Sequence, residues 1–201
     1  MTPLIQIAIT FFIVSNPIGN SPTIVALIKD YPIAKQRMIL LRECFFALML
    51  AVFFLFLGET FLKSLQIQDY ALTLSGGIIL FILGLKMIFI NRSEDNLTVT
   101  KQDPFIVPIA TPMLAGGGLL AMLMLYAKEE QNNLKVLLAL LIAWVGVTTV
   151  LVLAPYMQLF LGKRGLSAME QLMGMLLCMI SMEMIVNGAG MFATVLKSAS
   201  T

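Results

Sequence analysis

Apolar and polar residues follow one another along this chain in long blocks rather than at single positions. The apolar blocks fall near residues 4–28, 38–62, 70–90, 104–127, 134–161 and 166–192. Each holds about 20 residues or more, which at a helical rise of about 1.5 Å per residue is enough to cross a hydrocarbon layer of roughly 30 Å. Because a helix pairs its own backbone groups in lipid, the pattern predicts an all-α membrane protein with six transmembrane helices.

Composition supports the same class. Hydrophobic residues make up 59% of the chain, charged residues make up 12%, and the mean hydropathy is +0.94. Soluble domains contain about 45–50% apolar and about 25% charged residues, so this chain is too apolar for that class. The net charge is only +2, and no basic run is interleaved with aromatic residues. We therefore predict the lipid bilayer as a partner and exclude nucleic acid.

Basic residues predict the orientation of the helices. The first apolar segment has no Lys or Arg before it and no small-residue cleavage site after it, so we interpret it as a retained helix rather than a signal peptide. Eight Lys and Arg residues lie in or beside the odd-numbered loops, and four lie on the other side, which includes both termini. Since basic residues are enriched in cytoplasmic loops, we predict that both termini lie outside the cytoplasm.

The two halves of the chain share features in the same order. The segment GIILFILGLKMI, which begins at Gly77, aligns without gaps on GMLLCMISMEMI, which begins at Gly174, with four identities. Proline breaks in the first and fourth segments place Pro17 and Pro112 95 residues apart. Three helices per copy is an odd number, so the second copy would enter the membrane from the opposite side.

This symmetry predicts a 3+3 inverted repeat with two broken helices. We assign residues 1–92 to the first three-helix repeat and residues 104–201 to the second. Residues 93–103 form the polar cytoplasmic loop between them. No soluble enzymatic module is attached to this arrangement.

Each repeat begins with a helix that contains a break. Such a break is tolerated in a membrane only where the freed backbone groups are buried in protein or line a wet cavity. In the first half, SNPIGNSP, we expect Asn20 or Ser21 to cap a new half-helix with Pro22 at or near its first position. In the second half, TPMLAGGG, the glycines leave the backbone bare, so that a ligand or a facing helix can approach. A pair of structural kinks is the alternative to a site.

Together, the two breaks predict a polar pocket at the membrane midplane. The residues expected to bind substrate there are Asn16, Pro17, Gly19, Asn20, Thr111, Pro112, Gly116, Gly117 and Gly118. They offer backbone N–H groups, amides and a hydroxyl but no charge. This chemistry suits a small zwitterion better than a cation or a large drug.

Ionisable residues inside the apolar segments are functional candidates because charge is costly in lipid. The coupling or gating candidates are Glu183, Lys86, Glu59 and Glu43. Lys86 is expected near the cytoplasmic end of its helix and Glu183 near the outer end of its own, and the alternative for both is a side chain that only reaches the interface. Glu59 and Glu43 are expected at interfaces. With no histidine in the chain, proton coupling would need one of these carboxylates, and Glu183 is our first choice.

Sulfur-containing residues do not predict a metal site. Cys44 and Cys178 both lie inside apolar segments, where they are expected to pack as small apolar residues. The 15 methionines are scattered, without the Cys or His clustering of a copper site. We therefore predict no metal and no cofactor.

Several of these motifs together resemble a known family. NPIGNSP, then GETFLKSLQIQDYALTLSGGIILFILGLKMIF, then DPFIVPIATPMLAGGG, are similar to the MarC/SnatA family of six-helix bacterial inner-membrane proteins, most closely its YhgN-like branch. The resemblance covers nearly the whole chain. It implies transport of small neutral amino acids such as glycine and alanine. In a bacterial inner membrane, the orientation predicted from the basic residues places both termini in the periplasm.

This chain departs from the family pattern at two places. Asn16 stands where the family often has Asp, and Gly117 or Gly118 stands where it often has Pro. The first difference removes a carboxylate from the midplane, which puts proton coupling through that position in doubt.

Three function classes follow from the sequence. A secondary transporter accounts for the inverted repeat and the paired breaks, with a proton or sodium as the coupling ion. An enzyme is not expected, because the chain has no histidine and no clustered carboxylates. A structural or regulatory inner-membrane protein that transports nothing is the alternative. The sequence is compatible with a homo-oligomer.

Overall fold

The computed structural model describes residues 3–28, 31–89, 114–130 and 132–199. The helices in these ranges are α1 (Leu4–Ser15), α2 (Pro17–Ile28), α3 (Ile33–Ser64), α4 (Asp69–Phe89), α5 (Gly117–Glu130) and α6 (Asn133–Ala199). Helix α6 bends at Gly162, whose φ of 64° and ψ of 177° are not helical. We therefore call residues 133–161 α6a and residues 163–199 α6b. No strand occurs in the ranges given above.

Helix length and hydropathy confirm an all-α membrane protein. Five described stretches are long and apolar enough to cross a bilayer: Leu4–Val25, Ile33–Ser64, Asp69–Phe89, Asn133–Tyr156 and Ser167–Lys197. The predicted segment 104–127 is described only from Leu114 onwards. Its first part, with Thr111 and Pro112, and the loop 93–103 lie outside the described residues. The division of the chain into two repeats therefore stays a prediction.

Side chains on α1 and α3 hold these helices against the rest of the bundle. The indole Nε1–H of Trp144 in α6a donates a hydrogen bond of 2.9 Å to the carbonyl oxygen of Cys44 in α3. A Cβ added to Gly146 of α6a would lie 3.2 Å from the Phe12 ring of α1, so the ring lies close to the α6a backbone at this glycine. Helix α6a therefore packs against both α1 and α3.

Helices α4 and α6b approach each other most closely at glycines. A Cβ added to Gly77 of α4 would lie 3.0 Å from the carbonyl oxygen of Ser181. A Cβ added to Gly84 would lie 2.8 Å from the carbonyl oxygen of Gly174. Small residues let membrane helices meet backbone to backbone, where van der Waals contact replaces the hydrophobic effect as the main attraction.

Gly77 and Gly174, which are 97 residues apart, occupy equivalent places in this crossing. A Cβ on either glycine would meet a carbonyl oxygen, a methionine Cβ and an isoleucine Cγ1. These partners are Ser181, Met184 and Ile185 for Gly77, and Gly84, Met87 and Ile88 for Gly174. Each partner is again 97 residues from its counterpart. A two-fold axis between α4 and α6b, as expected for an inverted repeat, produces this exchange of contacts.

Charged side chains tie helix ends together at one end of the bundle. Lys128 near the end of α5 forms an ion pair with Asp69 at the start of α4. Lys135 Nζ lies 2.5 Å from Glu130 Oε2, which joins α5 to α6a. Partial burial raises the pKa of the neighbouring Glu129 carboxyl, and the charge of Glu130 raises it further. These residues therefore mark a polar boundary of the apolar bundle.

Candidate functional site

Helix α1 ends at Asn16, where the chain takes a left-handed backbone conformation. Asn16 has a φ of 50° and a ψ of 49°, and its N–H bonds the carbonyl oxygens of Ile13 at 3.0 Å and Phe12 at 3.2 Å. Asparagine adopts this conformation more readily than most non-glycine residues. The break is therefore a single residue long.

Asn16 also begins the next helix. Its side-chain Oδ1 accepts a hydrogen bond of 3.3 Å from the Gly19 N–H, and its carbonyl oxygen accepts one of 3.0 Å from the Asn20 N–H. This is the geometry of an N-cap residue. Pro17 occupies the first helical position, where a missing N–H costs nothing.

The prediction that Asn20 or Ser21 caps the half-helix, with Pro22 near its first position, is wrong. Pro22 lies inside α2 and cannot donate to the carbonyl oxygen of Ile18 one turn earlier. The hydroxyl of Ser21 supplies the missing donor, with a hydrogen bond of 2.6 Å to that oxygen. The helix therefore continues through the second proline.

Helix α4 closes the first break through Met87. The Asn16 Nδ2–H donates a hydrogen bond of 2.9 Å to Met87 Sδ. A Cβ added to Gly19 would overlap the terminal methyl of Met87 and would lie 2.6 Å from Asn16 Oδ1. Asn16 is fully buried and Asn20 is 5% exposed. The predicted residues Asn16, Pro17, Gly19 and Asn20 are therefore brought together, in a break that is packed shut.

The second break meets the same helix through a different residue. Helix α5 begins at Gly117, and the Gly116 carbonyl oxygen accepts a hydrogen bond of 3.1 Å from Leu120 N–H. Gly118 is buried, and a Cβ there would overlap the Leu80 side chain of α4. Gly117 is exposed, and a Cβ there would meet only Ile79 Cδ1, at 3.2 Å. The bare backbone at Gly118 thus serves a facing helix.

Leu80 and Met87 place the two breaks on one helix. The two residues are seven apart in the sequence, which corresponds to about 10 Å along α4. The breaks are therefore joined through α4. Thr111 and Pro112, which belong to the same predicted pocket, lie outside the described residues.

Two buried hydroxyls, one directly before the first break and one about two turns along α2, have no hydrogen-bond partner among the described residues. They are Ser15 Oγ and Thr23 Oγ1. A buried polar group is usually paired, so an unpaired one needs an explanation, such as a ligand or a water molecule. The sequence analysis did not name these residues, nor Met87 as a contact of Asn16. Met87 could have been noticed, because it is one of the identities shared by the two repeats.

Glu43 differs from its prediction. It was expected at an interface, but its side chain is fully buried within the protein. Arg42 Nη2 lies 2.9 Å and Arg42 Nε 3.0 Å from Glu43 Oε1. Glu59, by contrast, is exposed near the end of α3 and pairs with Lys63 at 2.7 Å, as an interfacial residue would. The two glutamates of α3 therefore have opposite surroundings.

Glu183 also differs from its prediction, because its helix does not end nearby. Helix α6b continues to Ala199. The contacts of Gly77 with Ser181 and Ile185 place Glu183 level with Gly77, eight residues or about 12 Å from the start of α4. Glu183 therefore lies deeper than an interfacial residue. Lys86 is exposed and close to Phe89, the last residue of α4, as expected.

A groove on the outside of α6b surrounds the Glu183 side chain. It has a volume of about 650 Å³. Its lining is mostly methionine and aliphatic side chains, with Cys178 and Asn187 as further polar members. Glu183 faces this groove and not the helix breaks, so the structure separates our first choice of coupling residue from the predicted substrate site.

Comparisons with known proteins identify the family of this chain. The family model described as MarC family integral membrane protein matches residues 1–193. The UPF0056 inner membrane protein YhgN of Escherichia coli (strain K12) is 35% identical over 194 residues, which cover 96% of this chain and 98% of the relative.

Two further relatives come from other bacteria. A UPF0056 membrane protein of Buchnera aphidicola subsp. Schizaphis graminum is 35% identical over 94% of this chain and 96% of its own length. A UPF0056 membrane protein of Chlamydia pneumoniae is 30% identical over 94% of each chain. No solved structure gives a significant match. With a family model that spans almost the whole sequence and relatives of matching length, this chain belongs to the MarC family of integral membrane proteins.

Proposed function

We propose that this protein is a secondary transporter of small neutral amino acids in the bacterial inner membrane, with substrate bound between the two helix breaks. The observation that carries the proposal is the break at Asn16, with the unpaired hydroxyl of Ser15 buried directly before it and that of Thr23 about two turns along α2. Broken helices near the midplane hold substrate in many transporters. The location follows the name of the E. coli relative, an inner membrane protein.

The chemistry at the breaks favours a small zwitterion. The segments 15–23 and 114–123 contain no ionisable side chain. Hydroxyls, amides and the N-terminal ends of α2 and α5 can bind a carboxylate and an ammonium group without adding net charge to the membrane interior. Because side chains of α4 occupy the space next to Gly19 and Gly118, only a substrate with a small side chain would fit there.

Substrate entry would require Met87 to leave the first break. Met87 covers Gly19 and bonds Asn16, so the described conformation is closed. Methionine has flexible torsions and a weakly accepting sulfur, and its displacement costs less than that of a rigid or strongly bonded side chain. The structure is therefore best interpreted as the closed state of a transport cycle.

Uptake of labelled glycine and alanine into vesicles that contain only the purified protein tests the proposal. Ser15→Ala should lower the apparent affinity about tenfold, since one lost hydrogen bond is worth about 1–1.5 kcal/mol. Ser75→Ala is the matched control, because Ser75 is exposed on α4 and bonds only its own helix at Leu72. A folded parent protein that takes up no amino acid would favour a structural or regulatory role.

Orientation needs a separate test, and we propose that both termini are periplasmic. A reporter that is active only in the periplasm should be active when fused after Thr201. The same reporter should be inactive within the loop 93–103. The reverse pattern would invert the sidedness of every residue discussed above but would leave the contacts unchanged.

A further inference from the structure

Glu43 combines complete burial with an unpaired oxygen. Its side chain is 0% exposed, Oε1 is held by Arg42, and Oε2 has no hydrogen-bond partner among the described residues. The Arg42 side chain is 35% exposed, so the cation reaches outward while the carboxylate does not. Burial of a carboxylate with one unpaired oxygen costs free energy that a purely structural ion pair would avoid.

Among the described residues, α5 and α6a bring no charged group to the level of Glu43. On α3 itself, Arg42 and Cys44 are the adjacent titratable groups. Helix α6a meets this level of α3 through Trp144, and it has no charged residue between Lys135 and Lys163. Helix α5 has none between its start and Tyr126. Arg42 is therefore the only cation that these helices bring to the Glu43 carboxylate.

We propose that Glu43 is the proton-binding residue that couples transport to a proton gradient, with Arg42 as its releasable counter-charge. This inference rests on the proposed transport function. A proton from the aqueous phase would bind Oε2, the carboxylate would become a neutral acid, and Arg42 would stay charged. The guanidinium would then lose its ion pair with Glu43 and turn toward the membrane surface, as long cationic side chains do.

The geometry favours a proton over a sodium ion. A metal cation of that size needs several oxygen ligands around it, as bound calcium and magnesium do. Oε2 has no polar partner among the described residues, so it offers a single ligand. One unpaired oxygen is sufficient for a proton.

The other carboxylates fit this role less well. Glu59 is paired with Lys63, and its side chain is 60% exposed, so it can exchange protons at one surface without any conformational change. Glu183 faces a groove on the outside of α6b. Glu43 lies on α3 beside Cys44, whose carbonyl bonds Trp144 of α6a, and α6a in turn packs against α1. Packed helices therefore connect Glu43 to the broken helix.

Vesicles that contain the purified protein allow a direct test with labelled glycine. When a pH gradient is imposed, Glu43→Gln should accumulate at least tenfold less glycine than the parent. Exchange of internal for external glycine at equal pH should persist in this variant. Glu59→Gln and Glu183→Gln are the matched controls and should accumulate glycine as the parent does. If Glu43→Gln responds to the gradient like the parent, the inference is wrong.

Infrared difference spectroscopy tests Glu43 without any transport. Between acidic and alkaline buffer, the parent should show the carbonyl stretch of a protonated carboxyl group that is absent from Glu43→Gln and shifted in Glu43→Asp. If no such band belongs to Glu43, the inference is overturned even when glycine is transported. If the band is present but the parent transports no amino acid, the proposed function fails while the proton site stands.

Discussion

The crossing of α4 with α6b and the two helix breaks differ in how well the halves of the molecule match. At the crossing, Gly77 and Gly174 meet the same kinds of atom at residues of equal spacing. At the breaks, the first is capped by the Asn16 side chain and covered by Met87, whereas in the described part of the second Gly118 packs on Leu80. One pair of regions is nearly symmetric, and the other is not.

This difference follows from the physics of each contact. Two helix backbones can approach closely only where the residues between them are small. Both halves therefore have glycine at this position. A helix start can be satisfied by an amide cap, by glycine, by proline or by a ligand, so two breaks of equal position can differ in chemistry. Asymmetric breaks would bind the two ends of an asymmetric substrate differently.

The largest expected effect comes from Asn16→Ala. The substitution removes the hydrogen bond that Asn16 Oδ1 accepts from the Gly19 N–H and the hydrogen bond that Asn16 Nδ2 donates to Met87 Sδ. It also replaces a residue that tolerates positive φ. Loss of a cap costs about 1 kcal/mol, and alanine in the left-handed conformation costs roughly 1–2 kcal/mol more. We expect a clear fall in the unfolding temperature of the purified protein and loss of substrate uptake.

Asn16→Gly and Asn16→Asp separate these causes. Glycine keeps the backbone conformation without the cap, and should restore most of the stability. Aspartate keeps the cap acceptor but loses the donor to Met87 Sδ. If all three variants are equally stable, the one-residue break does not depend on the side chain that we describe.

The next effect tests the symmetric crossing. Gly77→Ala and Gly174→Ala each place a methyl group about 3 Å from a backbone carbonyl oxygen of the facing helix. Overpacking of this kind costs about 1–3 kcal/mol, and the matched contacts predict nearly equal losses in thermal stability. Gly190→Ala is the control, since a Cβ there meets nothing within 4 Å. Strongly unequal losses would contradict the two-fold relationship between α4 and α6b.

A smaller loss is expected at the second break. Gly118→Ala overlaps the Leu80 side chain, which can move more easily than a backbone, so we expect a destabilisation of about 1 kcal/mol. Gly117→Ala meets only the end of Ile79 and should be close to neutral. The double variant Gly118→Ala, Leu80→Ala should recover part of the loss in thermal unfolding, and failure to do so would place the clash elsewhere.

The smallest effect is expected at the polar boundary, which lies outside both the helix crossing and the helix breaks. Because the pKa of the Glu129 carboxyl is raised in the folded protein, its contribution to stability is present at acidic pH and is lost as the pH rises through that pKa. Glu129→Gln should therefore unfold at a slightly higher temperature than the parent at neutral pH and at the same temperature in acid. Glu130→Gln should instead be less stable at neutral pH, because it breaks the pair with Lys135.

Hydropathy was sufficient to predict the membrane class and most helices, because the length of an apolar segment directly reflects the thickness of the bilayer. It did not predict where the first break lies. Asn16–Pro17 and Ser21–Pro22 both offer a capping side chain followed by proline, so local propensity cannot choose between them. The choice depends on Met87 of α4, a contact between distant parts of the chain.

The carboxylates show a second limit. The predictions of an interfacial position for Glu43 and of a place near the outer end of its helix for Glu183 used distance from the end of an apolar segment, which says nothing about the direction of a side chain. Glu43 points into the bundle, and α6b extends well past Glu183. The alignment of Gly77 with Gly174, in contrast, could be read from the sequence, and the two glycines meet equivalent partners in the crossing of α4 with α6b.

The single-residue break restricts the motions that are open to the first half-helix pair. Only the φ and ψ of Asn16 separate the last residue of α1 from Pro17, whose own φ is fixed by its ring. With two free torsions and no slack in the chain, α2 can tilt relative to α1 but cannot slide along it. Any opening of this end of the protein is therefore a rotation about one residue, and its amplitude at the far end of α2 grows with the length of that helix.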